Sequence, residues 1–237
     1  MTRKRDRLPA STSTDVDAFL RKAAATPRPP APGGRKGRLL FAMDATASRE
    51  PTWDRAARIQ AEMFQVADAL GGLEIQLCHY RGFMELDATP WLGDAQALAA
   101  RMTRVRCAAG QTQIARVLEH ARDEHQRRRV SALVFVGDCM EEAPDRLAGL
   151  AGELGLRGLP AFVFQEGRDP VAERTFRDIA RLSGGAWCRF DASSAEQLQA
   201  LLRSVAAFAA GGRPALEDLA RRQGGVIRQL AHQMKDG

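Results

Sequence analysis

From position 38 onward, short apolar runs alternate with stretches in which apolar residues recur every three or four positions. The first run, 38–44 (RLLFAMD), is apolar at nearly every site, the pattern of a strand buried on both faces. Residues 53–70 then set Trp53, Ala57, Phe64, Ala67 and Leu70 on one helical face, and Gly71 and Gly72 stop that helix. The runs 73–80 and 83–88, joined across Arg81 and Gly82, predict two strands paired as an antiparallel hairpin. The helical period returns over 94–105 and 112–128.

The second half repeats the alternation. The run 130–137 (VSALVFVG) predicts a central strand, followed by a helix over 145–157, a strand over 159–165 and a helix over 170–183. A strand over 186–190 and a helix over 195–209 complete the series. Such alternation predicts a doubly wound, Rossmann-like α/β fold. Its six-stranded, mostly parallel sheet is expected in the order 3-2-1-4-5-6, with one antiparallel edge strand and helices on both faces. Beyond it, 211–237 predicts a helical extension that Gly224 and Gly225 interrupt, so two short helices or one kinked helix are equally compatible.

Composition narrows the class. A chain of 237 residues that is 45% hydrophobic supports one core of roughly 200 residues. No apolar run approaches the ~18 residues of a membrane span. The start, MTRKRDRLPASTST, has no apolar segment of the secretory kind, so the cytoplasm is the expected location. The net charge of +6 sits in residues 1–36, where nine Lys and Arg face three Asp. The remainder is therefore neutral and offers no basic groove for nucleic acid. Five of the eleven prolines also fall in this stretch, which predicts a disordered, basic, Pro-rich tail over 1–37 ahead of a domain over 38–210. Polyanion binding by the tail remains an alternative, although no aromatics are interleaved among its basic residues for base stacking. Cys78, Cys107, Cys139 and Cys188 form no CxxC pair, which argues against a zinc ribbon or a disulfide scaffold.

The chemistry concentrates at DATAS, 44–48, where the first strand ends. Open α/β sheets bind ligands at the carboxyl ends of their strands. In an extended turn, Asp44, Thr46 and Ser48 can aim alternate oxygens at one point. Thr112 in AAGQTQ and Asp138 at the end of VFVGD belong to two further loops expected at the same edge. These are hard oxygen donors, suited to Mg²⁺ or Mn²⁺ and not to zinc. Helix and turn capping by Asp44, Ser48, Thr112 and Asp138 is the competing explanation. His120 and His125 stand five apart, the wrong spacing for two ligands on one helical face.

DATAS, Thr112 and Asp138 together resemble the metal-ion-dependent adhesion site of von Willebrand factor A domains, here of the stand-alone bacterial type. The first motif of that family is DxSxS, and this chain departs from it by Thr46, which keeps the hydroxyl and adds a methyl. The stretch 176–202 (FRDIARLSGGAWCRFDASSAEQLQALL) is similar to the closing part of the family's domain. The resemblance implies that Thr46, Ser48 and Thr112 ligate a divalent metal through hydroxyls, with Asp44 and Asp138 acting directly or through waters. It further implies that an Asp or Glu of a partner protein fills an open coordination position, so that the domain binds and does not catalyse. Glu141, Glu142 and Trp91 are expected on the partner-binding rim.

A metal-dependent hydrolase or phosphatase is the alternative. Aspartyl-phosphate chemistry, however, needs a second acid where Thr46 stands, and no GxxxxGK[ST], GxSxG or GxGxxG occurs. The tail is expected to be dispensable for folding. A chain starting at Gly37 should melt within about 5 °C of the full-length protein, and a larger drop would mean that the tail packs on the core.

Overall fold

A computed structural model describes residues 37–50, 73–190 and 218. The expected tail before Gly37, the helices over 53–70 and 195–209, and the extension over 211–237 (Asp218 apart) lie outside the described residues. Six strands form one sheet: β1 (Gly37–Asp44), β2 (Leu73–Arg81), β3 (Glu85–Ala88), β4 (Ala132–Gly137), β5 (Ala161–Glu166) and β6 (Ala186–Phe190). Four helices accompany them: α1 (Ala95–Met102), α2 (Ile114–Arg127), α3 (Pro144–Leu156) and α4 (Pro170–Leu182). The strand order is β3-β2-β1-β4-β5-β6, as the alternation predicts, and only the β2–β3 pair is antiparallel.

β1 takes the middle because every one of its residues is apolar enough, or well enough paired, to be buried. It runs parallel to β2 and to β4, with Asp44 opposite Tyr80 and Met43 opposite Val136. Leu40 and Ala42 face one side of the sheet, where Cys78, Tyr80, Leu133 and Phe135 meet Ile114 and Leu118 of α2 and Leu147 and Leu154 of α3. Phe176 of α4 closes this layer with its ring edge-on to Phe135 at 5.5 Å. The alternate residues Leu39, Phe41 and Met43 face the opposite side and are equally closed to solvent. Fully burying residues of this size contributes roughly 1.5–3 kcal/mol each, so β1 anchors both layers.

Local chemistry explains where the elements begin. Asp94 caps α1 by accepting from the N–H groups of Gln96 and Ala97. Asp169 caps α4 in the same way, and Pro170 then occupies the first helical position. The run expected as a strand over 83–88 pairs only from Glu85, because the hairpin turn takes up more chain than Arg81 and Gly82. Gly82 (φ 58°) and Met84 (φ 65°) both adopt left-handed backbone there. Phe83 and Met84 project from this turn 72% and 79% exposed. β3 itself is short and charged, which blunts the open edge of the sheet.

Two glycines let α4 pass onto β6. Gly184 has φ 77°, and a Cβ on Gly185 would stand 1.9 Å from the Ala161 carbonyl oxygen. Gly185→Ala is therefore expected to cost about 1–3 kcal/mol in denaturant unfolding, as overpacking against fixed backbone does. Gly149, inside α3 with open space around its Cα, should behave in the opposite way. Gly149→Ala should raise stability by about 0.5–1 kcal/mol.

Candidate metal centre

Parallel pairing brings the ends of β1, β2 and β4 to one edge. Beyond Asp44 the chain stays extended, because the Ala45 N–H donates to the Tyr80 carbonyl and the Ala45 carbonyl accepts from Ala108. Thr46 bridges Ala108 before a single 3-10 turn, Ala47–Arg49. Asp44 is fully buried. Its Oδ1 accepts from the Thr46 N–H at 2.7 Å, and its Oδ2 accepts from the Tyr80 hydroxyl at 2.9 Å. The hydroxyls of Thr46 and Ser48 lie 3.1 Å apart, so alternate spacing does gather the oxygens of DATAS.

Asp138 follows the last residue of β4, the strand beside β1. One ligand-type atom from each of Asp44, Asp138 and Cys139 lies within 4.8 Å of the other two. The Asp138 Oδ1 is buried and has no hydrogen-bond partner. Burial raises the Asp44 carboxyl above its ordinary range, and the neighbouring Asp138 raises it further against the hydrogen bonds from Thr46 and Tyr80. Burial and Asp44 together push the Tyr80 phenol well upward, so it stays a neutral donor. The Cys139 thiol meets the Asp138 carboxylate and the Ser48 hydroxyl. It is pushed up to about 12, by burial first and then by the two aspartates.

Thr112 is held at this edge by the loop that follows β4. Its hydroxyl accepts from the Glu141 N–H at 3.0 Å, and its own N–H donates to the Glu141 Oε2 at 3.1 Å. α2 starts at Ile114 and not at 112, because the backbone of Gln113 (φ −135°, ψ 43°) is not helical. The N-cap position belongs to Gln113, whose side chain makes no capping bond. Glu142 does the capping from the other loop, accepting from the Ile114 N–H and, at 2.9 Å, from the Ala115 N–H. Burial lifts the Glu142 carboxyl while these bonds hold it down. Helix capping by the Thr112 side chain is thereby ruled out. Gln113 and the Gln111 N–H in turn reach the Gly82 carbonyl, and a Cβ on Gly110 would stand 2.0 Å from it. The loop is seated directly on the β2–β3 turn.

Other expected residues lie elsewhere or act differently. Glu141 and Glu142, expected on a rim, have their carboxylates engaged with the Thr112 loop. Trp91 donates to Glu124 and stacks under the Arg38 guanidinium at 3.6 Å, beside the start of β1. That is about 20 Å of strand away from Asp44. His120 meets Gln76, and His125 bonds the Val130 backbone.

The spacing of motifs does not reveal two residues that build the edge. Arg49 is 1% exposed, and its Nε and Nη2 donate to the Glu166 Oε2 at 3.1 and 2.9 Å. Its Nη1 donates to the Asp44 carbonyl at 3.1 Å. Arg49 thus ties the end of β1 to the end of β5. Tyr80 is the chain's single tyrosine, and the polar end of an apolar strand was the one available sign of it.

A divalent cation fits this donor set. Two acidic groups converge, burial disfavours charge on Asp44, two hydroxyls stand beside them, and one buried carboxylate oxygen lacks a partner. Among the described residues no helix is long and apolar enough to cross a membrane.

No family model and no curated protein matches the sequence. Solved structures do match. A von Willebrand factor type A protein from Catenulispora acidiphila superposes with a TM-score of 0.60 at 17% identity, covering 74% of this chain. This chain spans 43% of that protein's length. The VWA domain of SpRpn10 gives a TM-score of 0.58 at 10% identity, over 70% of this chain and 94% of its own. Proximal thread matrix protein 1 from the mussel byssus, with a zinc-occupied MIDAS motif, gives 0.58 at 13% identity, over 73% and 46%. At such identities the likeness is one of architecture, and the fold of this chain is that of the von Willebrand factor A domains.

Proposed function

We propose that this chain is a protein-interaction module that grips an acidic residue of a partner through a divalent cation held by Asp44, Thr46, Ser48, Thr112 and Asp138. The observation that carries it is the buried, partnerless Oδ1 of Asp138 beside the Asp44 carboxylate. Two carboxylates balance a divalent ion, and hydroxyls add no charge, so the ion still attracts one more anion. An Asp or Glu side chain on another protein is an anion of the right kind. The oxygen donors suit Mg²⁺ or Mn²⁺.

Several features support binding without catalysis. The Asp44 oxygens are committed to Thr46 and Tyr80, so this carboxylate is held in place and not poised to attack a substrate. The turn that seats the Thr112 loop also presents Phe83 and Met84 to solvent, an apolar flank for a partner's contact. The four free thiols suit a reducing compartment, and we place the protein in the cytoplasm.

Millimolar Mg²⁺ or Mn²⁺ should raise the melting midpoint of the full-length chain relative to EDTA. The rise should be about 5–10 °C at a hundredfold excess over Kd. Asp44→Ala, Thr112→Ala and Asp138→Ala should each abolish that rise while the domain stays folded by circular dichroism. Proteins captured from lysate by the wild type should be lost in EDTA and with Asp138→Ala. Identical melting with EDTA and with either cation, together with capture that persists in EDTA, would return these residues to a purely structural role. Phosphate released from a generic phosphomonoester, and lost with Asp44→Ala, would favour the hydrolase instead.

A further inference from the structure

Cys139 stands inside the cluster of oxygens and not merely next to it in sequence. It is half-buried, and its sulfur lies within 4.8 Å of a carboxylate oxygen of Asp44 and of Asp138. It also meets the Ser48 hydroxyl and the Asp138 carboxylate, so it borders residues from both sides of the crevice. Cys78 and Cys188 are closed into the core. Cys107 is half-buried near the same edge but does not join the group of converging ligand atoms. Of the four thiols, Cys139 alone is placed to share whatever Asp44 and Asp138 hold.

Sulfur changes the preference of such a site. An all-oxygen set favours Mg²⁺ and Mn²⁺, whereas thiolate is a poor ligand for Mg²⁺ and a good one for Zn²⁺, Co²⁺ and Cd²⁺. The Asp138 Oδ1, partnerless in its burial, is one oxygen of this group that its neighbours do not satisfy. On the footing of the cation site proposed above, we infer that Cys139 is a sulfur ligand of that site and that it makes this chain select a thiophilic divalent cation, Zn²⁺ or Co²⁺, over Mg²⁺. Coordination exchanges the S–H bond for a sulfur–metal bond, and the proton passes to the buffer. Sulfur and the carboxylates of Asp44 and Asp138 then supply ligands of two chemical kinds. Cys139 thus sets which ion the module uses, while Asp44 and Asp138 set that it uses one.

Co²⁺ and Cd²⁺ are suitable probes, because each reports on sulfur directly. Titrated with Co²⁺ under reducing conditions that do not chelate, the full-length chain should develop a near-ultraviolet sulfur-to-cobalt charge-transfer band. Cys139→Ser should lack the band, and Cys107→Ser should keep it. By calorimetry, Cys139→Ser should weaken Cd²⁺ binding by about tenfold or more, the scale on which loss of a metal-site residue acts. It should leave Mn²⁺ affinity within about threefold. A wild-type chain that binds Co²⁺ without the band, or a Cys139→Ser chain that keeps the band or its full Cd²⁺ affinity, would overturn the inference and leave the cation site standing. If none of Mg²⁺, Mn²⁺, Co²⁺ and Cd²⁺ binds, the cation site falls and the inference with it.

Discussion

Parallel pairing of β1 with β4 carries Asp44 and Asp138 to the same end of the sheet, where burial makes charge on Asp44 costly. In a medium of low dielectric, two carboxylates this close raise each other's proton affinity unless a cation or a set of donors offsets them. Asp44 receives donors from Thr46 and Tyr80, whereas one oxygen of Asp138 receives none. Each loop at this edge is fixed by contacts of its own.

The fixing contacts cross between elements. Glu141 and Glu142, on the loop after β4, bind the backbone of the Thr112 loop and cap α2 from outside. Arg49 spans from the Asp44 carbonyl to Glu166 at the end of β5, and both side chains are buried. Removing one partner of a buried ion pair typically costs about 3–5 kcal/mol, because the other charge is left unpaired. The Arg49–Glu166 bridge thus makes the position of the DATAS turn dependent on β5, two strands away from β1 in the sheet. Side chains so held are ordered by the fold itself, and groups ordered in advance lose less entropy on binding any ligand.

The same edge joins two kinds of surface. The Thr112 loop rests on the β2–β3 turn, and that turn raises Phe83 and Met84 into solvent. A polar crevice with an apolar shoulder is the composition expected of a contact patch, in which charge orients a partner and apolar area holds it. Cys139 adds a third character, a polarizable sulfur among hard oxygens.

Much of this was legible from order along the chain. Short apolar runs and the period of 3.6 gave the strands and helices, and a nearly all-apolar β1 and an apolar β4 required central places in a parallel sheet. The oxygen-bearing residues that end β1 and follow β4 then share one edge, which placed Asp44 and Asp138 by topology. Contacts between loops were not legible, because no periodic signal links residues dozens of positions apart. Only the tertiary structure pairs Arg49 with Glu166, turns Glu141 and Glu142 toward Thr112, and sets Trp91 against Arg38 at the far end of the sheet. The sequence by itself determined which acidic residues end the central strands and at which edge, since local pattern dictates topology. The fold decided which side chains converge, Cys139 included, because convergence depends on distances between loops that no local pattern encodes.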